Sequence, residues 1–403
     1  FILGYCATLT IYKYSAELIL NTSGKPLLID KLNEEYPRTE IKGGGLDFII
    51  NNLTNPDYIN NLDIAHEFYQ RQISDNNKLY DTSEFDTIII ELIKTTTELS
   101  STYINHKKTI IDNLKTGFKK LINKKAEFIK GDINNIKLVK KIINKKKINT
   151  IIHLAGLIDP IESEKKKKKY FRNNVNGTLN LIKACKNSEV INFIFSSSAG
   201  VYGNISRAAK ETMPLNPINY YAYTKLKCEK IIKKYSKIYN YNYSILRCFN
   251  ACGASPSGKL GIMSKKNKSF FKILAKKSLK KNPIINIYGN NHDTKDGTCV
   301  RDFIHVSDLA SIHVKCLDYL IKKRKSLLIN CGYGIGYSVL TIAKLFKEKI
   351  NKSTRIKFKQ KRKTEISVSY ASINKMKKIL KWKPKYNKID HILKSSIKWE
   401  KRI

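Results

Sequence analysis

From about residue 110 onward, short apolar runs of strand character alternate with longer lysine-rich stretches whose apolar residues recur at helical spacing. KTIIDNL, AEFIKGDI, INTIIHLAG, INFIFSSSAGVYG and YNYSILRCFNACG read as strands and strand ends, and VNGTLNLIKACKN and YYAYTKLKCEKIIKKYSKIY as helices between them. Parallel strands need a crossover, usually helical, so this alternation predicts an α/β fold built on a doubly wound parallel sheet. Ligands then collect beyond the C-terminal ends of the strands. Asp112, Asp132, Gly156, Ser198 and Asn250 all follow strand-like runs and fall where such a crevice opens. After residue 250 the chain becomes loop-rich, returns to the sheet around NPIINIYG and CVRDFIHVSDLA, and ends in short mixed segments, the pattern of a smaller cap. Residues 1–85 are polar and asparagine-rich, with GGG at 43–45, and carry no motif: an extension, an insertion or poorly ordered sequence.

A formal net charge of +43 would ordinarily suggest nucleic acid or an anionic surface. Here lysine is in excess everywhere together with asparagine and isoleucine, as in KKIINKKKINTII, the drift expected of A- and T-rich coding sequence. No zinc-finger, helix-turn-helix or RNA-binding signature stands out, so no specific nucleic-acid partner is expected. KKKKK at 165–169 reads as a solvated helix face or loop. The eight cysteines form no CxxC and no zinc spacing, so no metal site is expected and they read as small buried hydrophobes of a reducing, cytoplasmic compartment. No apolar run reaches transmembrane length, and FILGYCATLTIY lacks the basic leader of a secretory signal, so no membrane partner is expected.

Chemistry enters with NYYAYTKLKCEK, where Tyr221 and Lys225 stand four residues apart and share one helix face. A cation beside a phenol favours phenolate, and moving its pKa from ~10 toward ~7 needs about 4 kcal/mol of differential stabilisation. Tyr221 is then a usable base at neutral pH. A tyrosine–lysine pair recurs by chance in so tyrosine- and lysine-rich a chain, so its placement after FIFSSSAGVYG carries the weight.

With DNLKTG at 112–117, GDI at 131–133, HLAG at 153–156, NNVNGTLNL at 173–181, FIFSSSAGVYG at 193–203, YYAYTKLKCE at 220–229, LRCFNACGASPSG at 246–258 and DGTCVRDFIHVSDLA at 296–310, the chain resembles the UDP-glucose 4-epimerases of the extended short-chain dehydrogenase/reductase class. The resemblance runs from about residue 108 to the C-terminus. It implies a Rossmann-type NAD domain over residues 86–250, with strands added from about 284–310, and a UDP-sugar domain over 251–403. It implies NAD as cofactor, with Asp112 and Asn113 at the adenosine ribose, Asp132 and Ile133 at the adenine, and Leu154, Ala155, Gly156, Asn173, Ser196 and Phe249 along the cofactor path. Tyr221 would act as base, Lys225 would hold the nicotinamide ribose and lower the tyrosine pKa, and Ser198 would bond the sugar 4-oxygen. Asn250 and Phe249, Ser269 and Phe270, Arg301 and Arg362 at the phosphates, Tyr288 at the uracil, Glu365 at the uridine ribose and Ser369 beside the sugar would hold the UDP-sugar. A homodimer through the helices flanking Tyr221 is a further implication.

The chain departs from that pattern in one place above all. The glycine-rich turn expected ahead of Asp112 is replaced by IELIKTTTELSSTY, with Thr95, Thr96 and Thr97 where close backbone approach is needed. Either the cofactor site is impaired or this stretch is not a faithful gene product. Ile158 replaces a lysine of some members, and IMSKKNKSFF replaces an acidic loop and its substrate contact. Ser369 falls where the family carries a bulky or a small residue, which leaves N-acetylhexosamine substrates open. A pentose epimerase and a catalytically impaired Rossmann-shaped binding protein are the remaining alternatives. Sugar-nucleotide dehydratases are disfavoured because Ala199 and Gly200, not an acid pair, follow Ser198.

Overall fold

The computed structural model describes residues 108–122, 126–263, 269–362 and 365–403. The glycine-free stretch, the expected first strand DTIII, Cys6 and the polar N-terminal segment lie outside the described residues. The described chain runs β1 (Thr109–Asp112), β2 (Glu127–Lys130), α1 (Ile136–Lys145), β3 (Thr150–His153), α2 (Pro160–Lys165), α3 (Lys167–Tyr170), a π-helical turn (Phe171–Asn176), α4 (Gly177–Ala184), β4 (Asn192–Ser198), α5 (Tyr220–Tyr239), β5 (Asn242–Cys248) and β6 (Asn250–Cys252). It continues through α6 (Phe270–Ser278), β7 (Ile284–Tyr288), β8 (Val300–Arg301), β9 (Phe303–His305), α7 (Val306–Lys323), β10 (Leu327–Cys331), β11 (Tyr337–Ser338), α8 (Val339–Lys349), β12 (Arg355–Lys359), β13 (Val368–Ser369), α9 (Asn374–Leu380) and α10 (Ile389–Glu400).

The expected α/β doubly wound architecture is present. A parallel sheet runs in the order β10-β5-β4-β3, and β1 and β2 form a separate parallel pair among the described residues. The strand that the C-terminal half adds to the main sheet is Leu327–Cys331, not one from 284–310: β7 pairs with β12, β8 with β11 and β13, and β9 with β6. Sequence periodicity could not decide this, since a short apolar run looks the same whichever strand it pairs with.

Side-chain alternation on β4 explains the layers. Phe193 and Phe195 enter one core with Val139 and Ile143 of α1, Leu181 and Ile182 of α4, and Cys228 and Ile232 of α5. Ile194 points the other way, into a core with Ile312, Cys316 and Leu320 of α7. Both faces of the sheet are thus covered, as a parallel sheet requires. All seven described cysteines are free, and six of them are buried. No described helix is long and apolar enough to cross a membrane.

Asp302, fully buried between β8 and β9, organises the smaller lobe. Its carboxylate accepts from the backbone N–H of Tyr333 at 2.9 Å, Gly334 at 2.9 Å and Ala371 at 3.2 Å, joining β9 to the loop after β10 and to the end of β13. Burial pushes its pKa up to about 6 despite these donors. A carboxyl that holds its proton more tightly folded than unfolded contributes less stability as pH rises through the window from about 4 to 6. Asp302→Asn presents an amide to several N–H donors and should destabilise by on the order of 1–3 kcal/mol at neutral pH. Its deficit, followed by chemical unfolding of both proteins, should shrink as pH is raised from about 4 to 6. A deficit that grew with pH would contradict the assignment.

Candidate active site

The site is built where β4 ends and α5 begins. Ser198, the last residue of β4, caps a short 3-10 turn over Ala199–Tyr202 by accepting from Gly200 N–H at 3.2 Å. That turn closes on Gly203, whose φ of 72° favours glycine and where a Cβ would lie 2.0 Å from Asn216 O. The chain then returns to start α5, where Asn219 caps the helix by accepting from Ala222 N–H at 2.9 Å. Tyr220 N–H donates to Glu164 at 2.6 Å and Tyr221 N–H to Ser163 at 2.9 Å, so side chains of α2 satisfy the next two open donors. Each such cap is worth about 1 kcal/mol, and together they fix the first turn, on which Tyr221 sits.

Tyr221 hydrogen-bonds Ser198, which lowers the phenol pKa, yet burial outweighs this and pushes it up to about 12. The expected depression by Lys225 does not appear: Lys225 donates its ammonium to Ser196 O at 2.8 Å and lies 4.7 Å from the Phe195 ring centroid. Burial lowers the Lys225 pKa as well, opposed by Cys228, Cys248 and Glu229. Ser196, expected on the cofactor path, gives Lys225 its carbonyl, while its hydroxyl bonds His313 of α7 on the opposite side of the sheet.

Several other expected cofactor residues follow strand ends of their own. A Cβ on Gly156 would stand 3.6 Å from Lys225 Nζ and 3.4 Å from Asn174 Oδ1, so the glycine leaves a gap at the lysine. Asp112 and Asp132 close the neighbouring strands β1 and β2; Asp112 accepts from Leu114 N–H at 2.6 Å. Bonds from Asn134, Asn113 and Lys115 hold Asp132 well below the usual carboxylate range against the opposing effect of burial. Ile133 packs against Gly177, Leu154 packs on Ala310 and Val314 of α7, and Ala155 is exposed. Phe249 is buried with Ala199, Val201 and Ala371. A glycine at the lysine and acids at neighbouring strand ends suit a dinucleotide; the turn that would meet its pyrophosphate lies outside the described residues.

Beside Asn173, which donates to Asn174 Oδ1 at 3.1 Å, sequence reasoning missed Asn174 itself. This buried amide accepts from Leu157 N–H at 2.8 Å and donates to Leu157 O and Thr224 Oγ1, both at 3.0 Å. It ties the loop after β3 to α5. Two adjacent asparagines offered no signal for which one turns inward.

A second cluster stands on the smaller lobe. Glu365 lies 3.7 Å from both Arg301 and Arg362, and Arg362 stacks 3.8 Å over the Tyr288 ring. Among the described residues, Glu365 Oε2 is buried without a hydrogen-bond partner, an acceptor that a ligand hydroxyl would satisfy. Ser369, buried, is in register with Arg301 on the neighbouring strand. Asn250 donates its backbone and side-chain N–H groups to Asp302 O at 3.0 and 3.2 Å. Ser269 and Phe270 join the packing around α6 instead, with Phe270 against Phe271 at 6.4 Å.

A phenol held by a serine, next to a buried lysine, can move a proton. Substituting Tyr221→Phe should lower kcat at least a hundredfold at unchanged fold, the loss typical of a removed general base. In the wild type the base form grows with pH, so kcat should fall about tenfold per unit of pH below the operative tyrosine pKa. A pH-independent kcat would contradict this role.

The family model described as NAD dependent epimerase/dehydratase family matches residues 95–332. A UDP-glucose 4-epimerase of Azospirillum brasilense is 34% identical over 294 residues, 73% of this chain and 84% of that protein. The solved UDP-glucose 4-epimerase of Bifidobacterium longum, in complex with NAD+ and UDP, superposes with a TM-score of 0.70 at 31% identity, over 78% of this chain and 97% of that one. The UDP-Glc/GlcNAc 4-epimerase of Campylobacter jejuni gives 0.64 at 33% identity, over 78% and 96%.

Proposed function

Because this chain belongs to the NAD dependent epimerase/dehydratase family, we propose that it interconverts UDP-glucose and UDP-galactose by inverting the sugar at C4 through a 4-keto intermediate. The observation that carries the reading is the placing of Tyr221 beside Ser198 and of buried Lys225 on Ser196 O at 2.8 Å, at the C-terminal end of a parallel strand.

In this reading NAD, when bound, supplies the hydride acceptor for C4 and the donor that returns it to the opposite face of the ketone. Tyr221 takes the proton of the 4-hydroxyl and later gives it back. Ser198 bonds the 4-oxygen and steadies the phenolate. With burial holding the phenol near 12, positive charge from Lys225 and a bound nicotinamide would be needed to lower it, and this would tie the base to a loaded site. Asp112, Asn113, Asp132 and Ile133 would hold the adenosine end, and Lys225 the nicotinamide ribose. Arg301 and Arg362 would pair with the diphosphate, Tyr288 would meet the uracil, and the unpartnered Glu365 oxygen would accept from the uridine ribose. Firm grip on UDP leaves the sugar free to turn over.

Residues 86–250 would serve the cofactor and 251–403 the UDP-sugar. A homodimer through the helices flanking Tyr221 and a cytoplasmic setting complete the reading. Purified protein given UDP-galactose and NAD should form UDP-glucose to equilibrium. No conversion at saturating NAD would overturn the epimerase reading in favour of an impaired relative.

One observation favours a wider substrate range: Ser369, a small side chain, stands beside Arg301, and the similar Campylobacter jejuni enzyme is a UDP-Glc/GlcNAc 4-epimerase. UDP-N-acetylgalactosamine should therefore turn over. Ser369→Tyr should suppress it at least tenfold more than UDP-galactose, about 1.4 kcal/mol of discrimination. Equal losses on both substrates would contradict the assignment.

A further inference from the structure

Glu229 extends the face that carries Tyr221 and Lys225 by one more helical turn. The side chains of that stripe meet consecutive residues of β4. Tyr221 bonds Ser198, Lys225 donates to Ser196 O, and Glu229 Oε1 accepts from the Ser197 hydroxyl. Arg247 of β5 completes the third contact, donating Nε to Glu229 Oε1 at 3.1 Å and Nη2 to Oε2 at 2.8 Å. Both charges are buried, at 1% and 2% side-chain exposure, which makes this a built element and not a surface ion pair. The free end of the guanidinium goes to Tyr202 OH at 3.0 Å, and Tyr202 donates to Asn330 Oδ1 of β10 at 2.6 Å. Tyr202 itself ends the turn that Ser198 caps, so the network grips the serine from both sides.

We propose that Glu229, held by Arg247, is a positioning residue that sets the register of the helix bearing Tyr221 and Lys225 against the strand bearing Ser198. The proposal rests on the epimerase reading of the site. Without Glu229 the helix stays packed by its apolar residues, but nothing polar ties its axial position to Ser197. A slide of a fraction of an ångström would then separate the phenol from Ser198, and proton transfer is steep in that distance.

The test is the double variant Glu229→Leu/Arg247→Met, which removes both buried charges together and keeps the volume apolar, so that it folds where a single substitution would strand one charge. Expected are a Tm within a few degrees of wild type, a KM for UDP-galactose within twofold and a kcat at least tenfold lower. The acidic limb of kcat should also move to higher pH, because the Ser198 bond that lowers the tyrosine is weakened. Ser197→Ala, which keeps the ion pair and loses its contact to β4, should show the same changes in smaller measure. Amide hydrogen exchange at residues 196–200 should rise in the double variant while the rest of β4 and β5 is unchanged. Wild-type kcat and limb in the double variant, with unchanged exchange, would overturn the proposal. Inactive wild-type protein would sink the epimerase reading alone, leaving exchange to decide the register claim.

Discussion

The packing of α5 across the end of β4 is the constraint on which the site depends. Tyr221, Lys225 and Glu229 lie on one helix face, and the three serines that end β4 receive them. The helix is fixed at its start by Asn219, Ser163 and Glu164, and along its length by Cys228 and Ile232 in the core with Phe193 and Phe195. Apolar packing sets the distance of helix from sheet but is tolerant of sliding. The polar contacts remove that tolerance.

This arrangement places ionisable groups where burial is costly. The Glu229–Arg247 pair survives inside because its bonds are bidentate and its remaining donors reach Tyr202 and Glu211 O. Losing one partner of such a pair costs on the order of 3–5 kcal/mol. Asp302 solves the same problem in the smaller lobe by collecting backbone N–H groups, and it ties together the strands that carry Arg301 and Ser369. Tyr221 is the exception: the effect of Ser198 does not offset its burial, and its phenol is pushed up to about 12.

Much of this is legible in the sequence alone. The alternation of FIF with flanking serines reads as a strand buried on both faces that opens into a site, and the four-residue spacing of Tyr221 and Lys225 reads as one helix face. What stayed hidden depended on long-range partners. Glu229 in a lysine-rich helix looks like one more solvated acid until Arg247, eighteen residues away, is seen to cover it. Arg362, expected at the phosphates, gives no local sign in KQKRKTE of the Tyr288 ring on which the fold stacks it. Lys225 was expected to act directly on the phenol, but the carbonyl of Ser196 is available to it and no local pattern announces that competitor. The strand that extends the main sheet, Leu327–Cys331, was missed because pairing is a property of the fold and not of the segment.

The central claim is that C4 is oxidised and reduced within one site while Tyr221 handles only the hydroxyl proton. UDP-galactose carrying deuterium at C4 tests it most directly, with the UDP-glucose formed in ordinary water analysed by NMR. Retention of the deuterium at C4 is the expected result, because a hydride that leaves and returns inside the site never meets solvent. Replacement of that deuterium by solvent hydrogen would contradict the claim, since it would mean that the C4–H leaves as an exchangeable proton.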